Sequence, residues 1–355
     1  MEIGRSSSEL AAELQQVLDD EEVARVCAEQ ESFYIAWEMQ TAEQGCRLRQ
    51  KEKERQKEEN ASLQLALQLA KQQWDEKSQS RHVRNPINKA EIWRNLTQCQ
   101  LEAMHYVDSI ARGLHHAALP GLMDRVVNLG VTKEDLDICL SYIRDEAPIV
   151  IHLKEATIAK LCKDPGHLYR SQFETRTSGG TLDHDMRQQW EDTMFGNAYS
   201  GARDIDHPKY GCLNITGDIF GVHGARVYGE FYLTLGPGVR SRTSFSNQDT
   251  GCNAGRGHLA TNDWYAHVLS EYSDNELRTV LRVGCESRLR GAPSTAFSQY
   301  KECQIHGRLS IETDVIALAV PGRKADASDN LWHLVESFQR MSGCNVMWQC
   351  DLLED

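Results

Sequence analysis

Residues 300–307 read Tyr300-Lys301-Glu302-Cys303-Gln304-Ile305-His306-Gly307. Successive side chains of an extended strand point to opposite faces, so Tyr300, Glu302, Gln304 and His306 share one side and Lys301, Cys303 and Ile305 the other. A row of hydrogen-bonding groups backed by an apolar face suits the wall of a cleft; a solvated face on an edge strand fits the pattern as well. Further strand-like runs lie at 149–153, 210–215, 230–235 and 315–320. Helical spacing covers 90–112 through Ile92, Leu96, Met104 and Val107. Thr132 stands as an N-cap with Asp135 three residues on, ahead of Leu136, Ile138, Leu140 and Ile143. Helices are also expected at 259–272 and 331–340. The fold class is α+β, with helices leading into the mixed region. No GxGxxG or Walker loop is present, which removes the usual phosphate cradles.

The chain changes character near residue 85. All eight prolines come from Pro86 onward, and the first 85 residues hold only two glycines, Gly4 and Gly45, among many Gln, Glu, Lys and Ala. That composition favours helix but offers no compact core. With 40% hydrophobic residues overall, disorder throughout is excluded. Eleven cysteines with no CxxC pair read as free thiols in a reducing compartment, against a disulfide scaffold or a paired-cysteine zinc site. No signal peptide or membrane span is expected, which points to the cytoplasm or nucleus, reached directly or by delivery into a host cell. Residues 1–80 carry 10 of the 39 basic and 17 of the 52 acidic side chains, leaving 29 and 35, a net −6, for the rest. Neither part has the basic excess typical of nucleic-acid binding.

Two stretches of the N-terminal region repeat a pattern. In 29–43, Glu29 and Glu31 precede Phe33, Ala36, Trp37 and Gln40; in 58–73, Glu58 and Glu59 precede Leu63, Ala66, Leu67 and Ala70. On a helix these positions form one narrow face, with a small alanine where a partner's flat apolar surface can approach. The pattern resembles the ubiquitin-interacting motif, with Gln40 and Ala70 standing where the family usually has serine. The resemblance implies that Phe33, Ala36, Trp37, Leu63, Ala66 and Leu67 bind ubiquitin or a ubiquitin chain. An amphipathic helix that packs on the protein's own domain is the other reading.

Three further segments stand out: Ile149-Val-Ile-His152-Leu153, followed by Tyr169-Arg170-Ser171-Gln172-Phe173-Glu174 and Ser178-Gly179-Gly180; Pro208-Lys209-Tyr210-Gly211-Cys212-Leu213-Asn214; and the segment at 300–307. They resemble a family of bacterial and eukaryotic domains of formerly unknown function that shares these motifs in this order, over about 96–348. The arrangement is in turn similar to the NAD-dependent ADP-ribosyltransferase superfamily, with its early-strand histidine or arginine, middle aromatic or serine and late-strand glutamate. The resemblance implies a helical arm at 1–85, a helical subdomain at 86–147 and a catalytic domain at 148–355 built as a split β-sandwich. NAD would be the co-substrate. Breaking its nicotinamide–ribose bond leaves positive charge on the sugar, which a nearby carboxylate favours. Glu302 is the candidate, with Gln304 selecting the acceptor. Arg170 would pair with the pyrophosphate through its planar fork and His152 would hydrogen-bond a ribose. Ser178 and Gly179 would offer backbone N–H groups, and Tyr210 would stack on the nicotinamide.

Other constellations compete less well. Asp183-His184-Asp185 and Asp204-Ile205-Asp206-His207 lack a recognisable ligand spacing, so no metal is expected. Arg278, Arg282, Arg288 and Arg290 could contact phosphates, or solvate a helix end. The expected activity is mono-ADP-ribosylation of ubiquitin, a ubiquitinated protein or a nucleic acid; the alternative is a ubiquitin reader with an inactive scaffold.

Overall fold

The computed structural model of the protein describes residues 88–176, 183–253, 255 and 257–353. Both ubiquitin-hook segments, and Ser178 and Gly179, lie outside the described residues. The chain opens with α1 (Lys89–Arg94), α2 (Gln98–Asn128) and α3 (Lys133–Asp145). It continues through β1 (Ile149–Leu153), α4 (Glu155–Lys163), α5 (Gln172–Thr175), α6 (His184–Phe195), β2 (Lys209–Leu213), β3 (Phe231–Leu235), α7 (Pro237–Arg240), β4 (Thr243–Phe245) and β5 (Ala260–Thr261). The last elements are α8 (Ala266–Ser270), α9 (Asp274–Cys285), β6 (Glu302–Ile305), α10 (Ile311–Asp314), β7 (Val315–Val320), α11 (Asp329–Ser342) and β8 (Asn345–Trp348).

The strands at 149–153 and 315–320 match expectation, and β2, β3 and β6 differ from it by one or two residues at their ends. Two helix expectations need correcting. The spacing over 90–112 is interrupted at Thr97, whose N–H is taken by the Gln100 side chain at 3.0 Å, starting a fresh helix that continues to Asn128. Residues 259–272 are not one helix: Ala260 and Thr261 add a short edge strand, and only Ala266–Ser270 is helical in that stretch. The expected cap at Thr132 is present, with the Asp135 N–H donating to Thr132 Oγ1 at 3.1 Å.

The fold is α+β, with eight strands in the order β5-β4-β6-β2-β1-β3-β7-β8. Neighbours are antiparallel except β7 and β8, which α11 joins by the crossover that parallel pairing needs. Hydrogen bonding is continuous from β5 to β8, where the resemblance implied a sheet split in two. The five residues of β1 and of β3 are all buried, as central strands covered on both faces require.

Alternation sorts the side chains onto two unlike faces. Ile149, Ile151, Leu213, Leu233, Cys303 and Ile305 face the main core, where Leu122 and Val126 of α2, Leu136 and Ile143 of α3, Leu277 and Val280 of α9 and Phe338 of α11 cover them. The opposite face carries a small apolar cluster of Val150, Cys212, Tyr232 and Ala319 with Val222 and Ala225. His152, Tyr210, Glu302 and Gln304 alternate onto this second face. Among the described residues no helix is long and apolar enough to cross a membrane.

Candidate active site

A cavity of 790 Å³ opens on the second face, within the range of small-molecule sites, roughly 300–1,000 Å³. His152 of β1, Tyr210 and Cys212 of β2 and Glu302 of β6 line it, together with Arg170, Gln172, Trp190 and Tyr300. The register explains the convergence. Cys212 lies opposite Glu302 and Tyr210 opposite Gln304, so residues nearly a hundred positions apart share one wall. Four of the expected residues, His152, Arg170, Tyr210 and Glu302, thus meet at one cavity.

Glu302 is buried, and among the described residues every side-chain or backbone donor to its carboxylate goes to one oxygen. Thr250 Oγ1 donates to Oε1 at 2.5 Å, Gln304 Nε2 at 2.9 Å and the Thr250 N–H at 3.4 Å. Oε2 has no hydrogen-bond partner among the described residues. Among the described residues no cation pairs with the carboxylate, and burial, with the Asp249 charge adding to it against the Thr250 and Gln304 bonds, pushes its pKa up to about 7. Asp249 and Thr250 come from a loop that the sequence reading did not single out. Asp249 accepts from the Tyr300 hydroxyl at 2.7 Å, which in turn lies 2.9 Å from that of Tyr228.

His152 needs a correction. Its Nδ1 lies 2.9 Å from the Gly229 carbonyl, and the Val222 N–H donates to Nε2 at 2.9 Å. The second bond makes Nε2 an acceptor, so Nδ1 carries the proton and donates to Gly229. Both nitrogens are committed to backbone, and neither is left for a ribose. Burial lowers the pKa to about 4, so the ring is neutral. Gly221 permits this contact: its φ is +76°, and a Cβ there would lie 2.5 Å from the imidazole.

The Arg170 guanidinium is already engaged in part. Nε donates to Asp164 at 2.5 Å and Nη1 to Glu174 at 3.0 Å, so the arginine bridges two carboxylates where a pyrophosphate was expected. Its neighbours hold the turn in place. Ser171 caps α5 through the Glu174 N–H, and Phe173 stacks on His207 at 3.7 Å between ring centroids. Lys154 and Lys160 also line the cavity and form no ion pair among the described residues. Gln172 Oε1 is buried there without a partner among the described residues. Tyr210 presents its ring to the cavity and anchors its hydroxyl on Glu191 at 2.8 Å; Glu191 also takes His207 Nδ1 at 2.5 Å. Glu191, which reaches β2 from α6, belongs to no motif legible in the sequence.

Gln304 lies behind Glu302, fully buried and away from the cavity lining. It holds the carboxylate in place of selecting an acceptor. The competing constellations serve structure. Asp183 caps α6, Asp206 pairs with Arg203, Arg278 donates to the Leu129 carbonyl, Arg288 pairs with Glu286 and Arg290 with Glu146. No group of three or more potential metal ligands occurs among the described residues.

No curated protein matches the chain. The family model described as a protein of unknown function (DUF3626) matches residues 148–275, from β1 into the start of α9, a span that holds His152, Arg170 and Tyr210 and stops short of Glu302.

Proposed function

We propose that residues 148–355 form an ADP-ribosyltransferase-like domain that transfers ADP-ribose from NAD, and that the arm at 1–85 brings ubiquitin or a ubiquitinated protein to it. One observation supports the catalytic reading above the others. The buried carboxylate of Glu302 has one oxygen saturated by donors and the other bare among the described residues, on the wall of a cavity large enough for a dinucleotide, beside the ring of Tyr210. When bound, NAD supplies the glycosidic bond that breaks. Glu302 Oε2 accepts from a ribose hydroxyl and favours the positive charge that develops on the sugar. Tyr210 offers its ring as a stacking surface. Lys154 and Lys160 supply the positive charge at the rim for phosphate, and Gln172 Oε1 accepts from a ligand donor. The acceptor is ubiquitin, a ubiquitinated protein or a nucleic acid, and the net −6 outside the first 80 residues favours protein.

Incubation of the full chain with NAD labelled on the adenine side, with and without ubiquitin, tests this. Label transfer or nicotinamide release supports the reading, and neither under either condition overturns it. Ala36→Arg together with Ala66→Arg is expected to abolish ubiquitin retention in a pull-down; unchanged retention overturns the role of the arm and favours self-packing.

A further inference from the structure

Behind Glu302 runs a line of buried side chains that the proposed reaction does not use directly. Gln304 Nε2 donates to Glu302 Oε1 at 2.9 Å, and Ser244 Oγ donates to Gln304 Oε1 at 2.9 Å. Ser244 Oγ lies 3.3 Å from His306 Nε2, and Tyr199 OH lies 2.6 Å from His306 Nδ1. Tyr199, Ser244, Gln304 and His306 are all fully buried. Three elements contribute, with β4 and β6 in a register that sets Ser244 opposite Gln304, while Tyr199 follows α6.

The hydrogens along this line have a single arrangement that satisfies every group. The carboxylate accepts from the Gln304 amide, so the Gln304 carbonyl faces Ser244 and takes its only hydroxyl hydrogen. Ser244 Oγ then serves as acceptor for His306 Nε2–H. The neutral ring therefore has a bare Nδ1, which accepts from the Tyr199 hydroxyl. In the other tautomer His306 Nε2 would need the Ser244 hydrogen as well, and a buried acceptor would go without a partner. A protonated ring would point a hydrogen at Tyr199 and end the line. Burial, with Arg242 and Lys209 beside it, keeps His306 neutral, its pKa lowered to about 3.

We infer that Tyr199, His306 and Ser244 are positioning residues that act through Gln304: their four hydrogen bonds, all directed the same way, fix Glu302 Oε1 and turn Oε2 to the cavity. The inference rests on Glu302 being the reacting carboxylate. Aligned bonds polarise one another, so each hydroxyl behind Gln304 strengthens the amide's bond to the carboxylate. Gln304 cannot rotate toward an acceptor without breaking its bonds to both Ser244 and Glu302.

The groups facing Glu302 also bear on its ionisation. Among the described residues they are Asp249 and Cys252 from the loop, Tyr228, Tyr300 ahead of β6, Cys303 on β6, and Tyr210 and Cys212 on β2; Arg242 and Lys209 face the His306 end. None is altered by substitutions at 244 or 199, so a change in Glu302 reports the line itself.

The experiment titrates the full chain, labelled with ¹³C at the glutamate carboxyls, by NMR. The Glu302 signal is identified as the one missing from Glu302→Gln. Ser244→Ala is expected to raise the Glu302 midpoint by about one pH unit, Tyr199→Phe by about half that, and Ser244→Thr not at all. With NAD, Ser244→Ala should then release nicotinamide roughly five-fold more slowly at pH 7 and near the wild-type rate at pH 9, with KM unchanged. Midpoints unmoved in both Ser244→Ala and Tyr199→Phe overturn the inference, as does a rate loss equal at every pH. Tyr199→Phe keeps the ring, and carries the test alone if Ser244→Ala does not fold. If the midpoint moves while wild-type protein releases no nicotinamide, the hydrogen-bonded line stands and the NAD reading falls.

Discussion

Glu276 and Glu302 are both buried carboxylates, 4% and 6% exposed, on opposite faces of the sheet, and the fold treats them differently. Glu276 sits at the start of α9 with both oxygens occupied. Oε2 takes the Ser273 N–H at 2.9 Å, and Oε1 takes the Lys301 ammonium at 3.0 Å. Burial raises its pKa, but the Ser273 bonds and the Lys301 cation outweigh burial and leave it below the usual value. Glu302, one residue along the chain from that lysine, receives no cation and keeps an oxygen bare among the described residues. A carboxylate that serves folding is completed by its surroundings; the other is left with an atom to offer.

The sharpest break in this comparison is Glu302→Gln. It keeps the shape and removes the charge, and transfer should fall about 10³-fold with the protein still folded. Near-normal transfer would mean that Glu302 is not the reacting carboxylate. On the other face, Lys301→Met strands Glu276 without its cation, and should cost about 3 kcal/mol of stability in urea unfolding. A loss below about 0.5 kcal/mol would show that the pair is dispensable and the contrast between the faces false.

A third test uses pH. The Glu302 carboxyl titrates near 7 in the folded state against an ordinary value of 4.5. Between these limits the unfolded chain gives up a proton that the folded chain keeps, so this residue's contribution to stability is full below about 4.5 and is lost as pH rises through about 7. Glu302→Gln should therefore raise stability by about 2 kcal/mol at pH 8 and leave it nearly unchanged at pH 4. Equal effects at both pH values would show that the carboxylate is not strained by burial. The smallest effect is expected for Tyr210→Phe, which keeps the ring and drops the bond to Glu191. Stability should fall by about 1 kcal/mol, with transfer within a few-fold of wild type. A hundred-fold loss would give the hydroxyl a direct part in the reaction.

The wall of the cavity was legible in the sequence because alternation needs only four or five residues. Glu302 and Gln304 against Cys303 and Ile305, and Tyr210 against Gly211, sort by that rule alone. What each residue bonds to was not legible. Thr250 reaches Glu302 across 52 positions from a loop without periodicity, and Ser244 lies on a three-residue strand too short to show a pattern. The role expected of His152 failed, and Arg170 acquired two carboxylate partners, for a related reason. A local motif reveals which groups are present, but the partners that consume their hydrogen bonds, Val222 and Asp164 among them, belong to the folded chain. The stretch 259–272 was expected as one helix, yet pairing with β4 drew Ala260 and Thr261 to the sheet edge.

The strand that carries Glu302 is paired along both edges, to β2 on one side and β4 on the other. Shifting that acid by even an ångström would unfasten two ladders at once, so it stands as the immobile reference of the cavity. Whatever enters must adjust to it, while the turn at 249–252 meets the acid through Thr250.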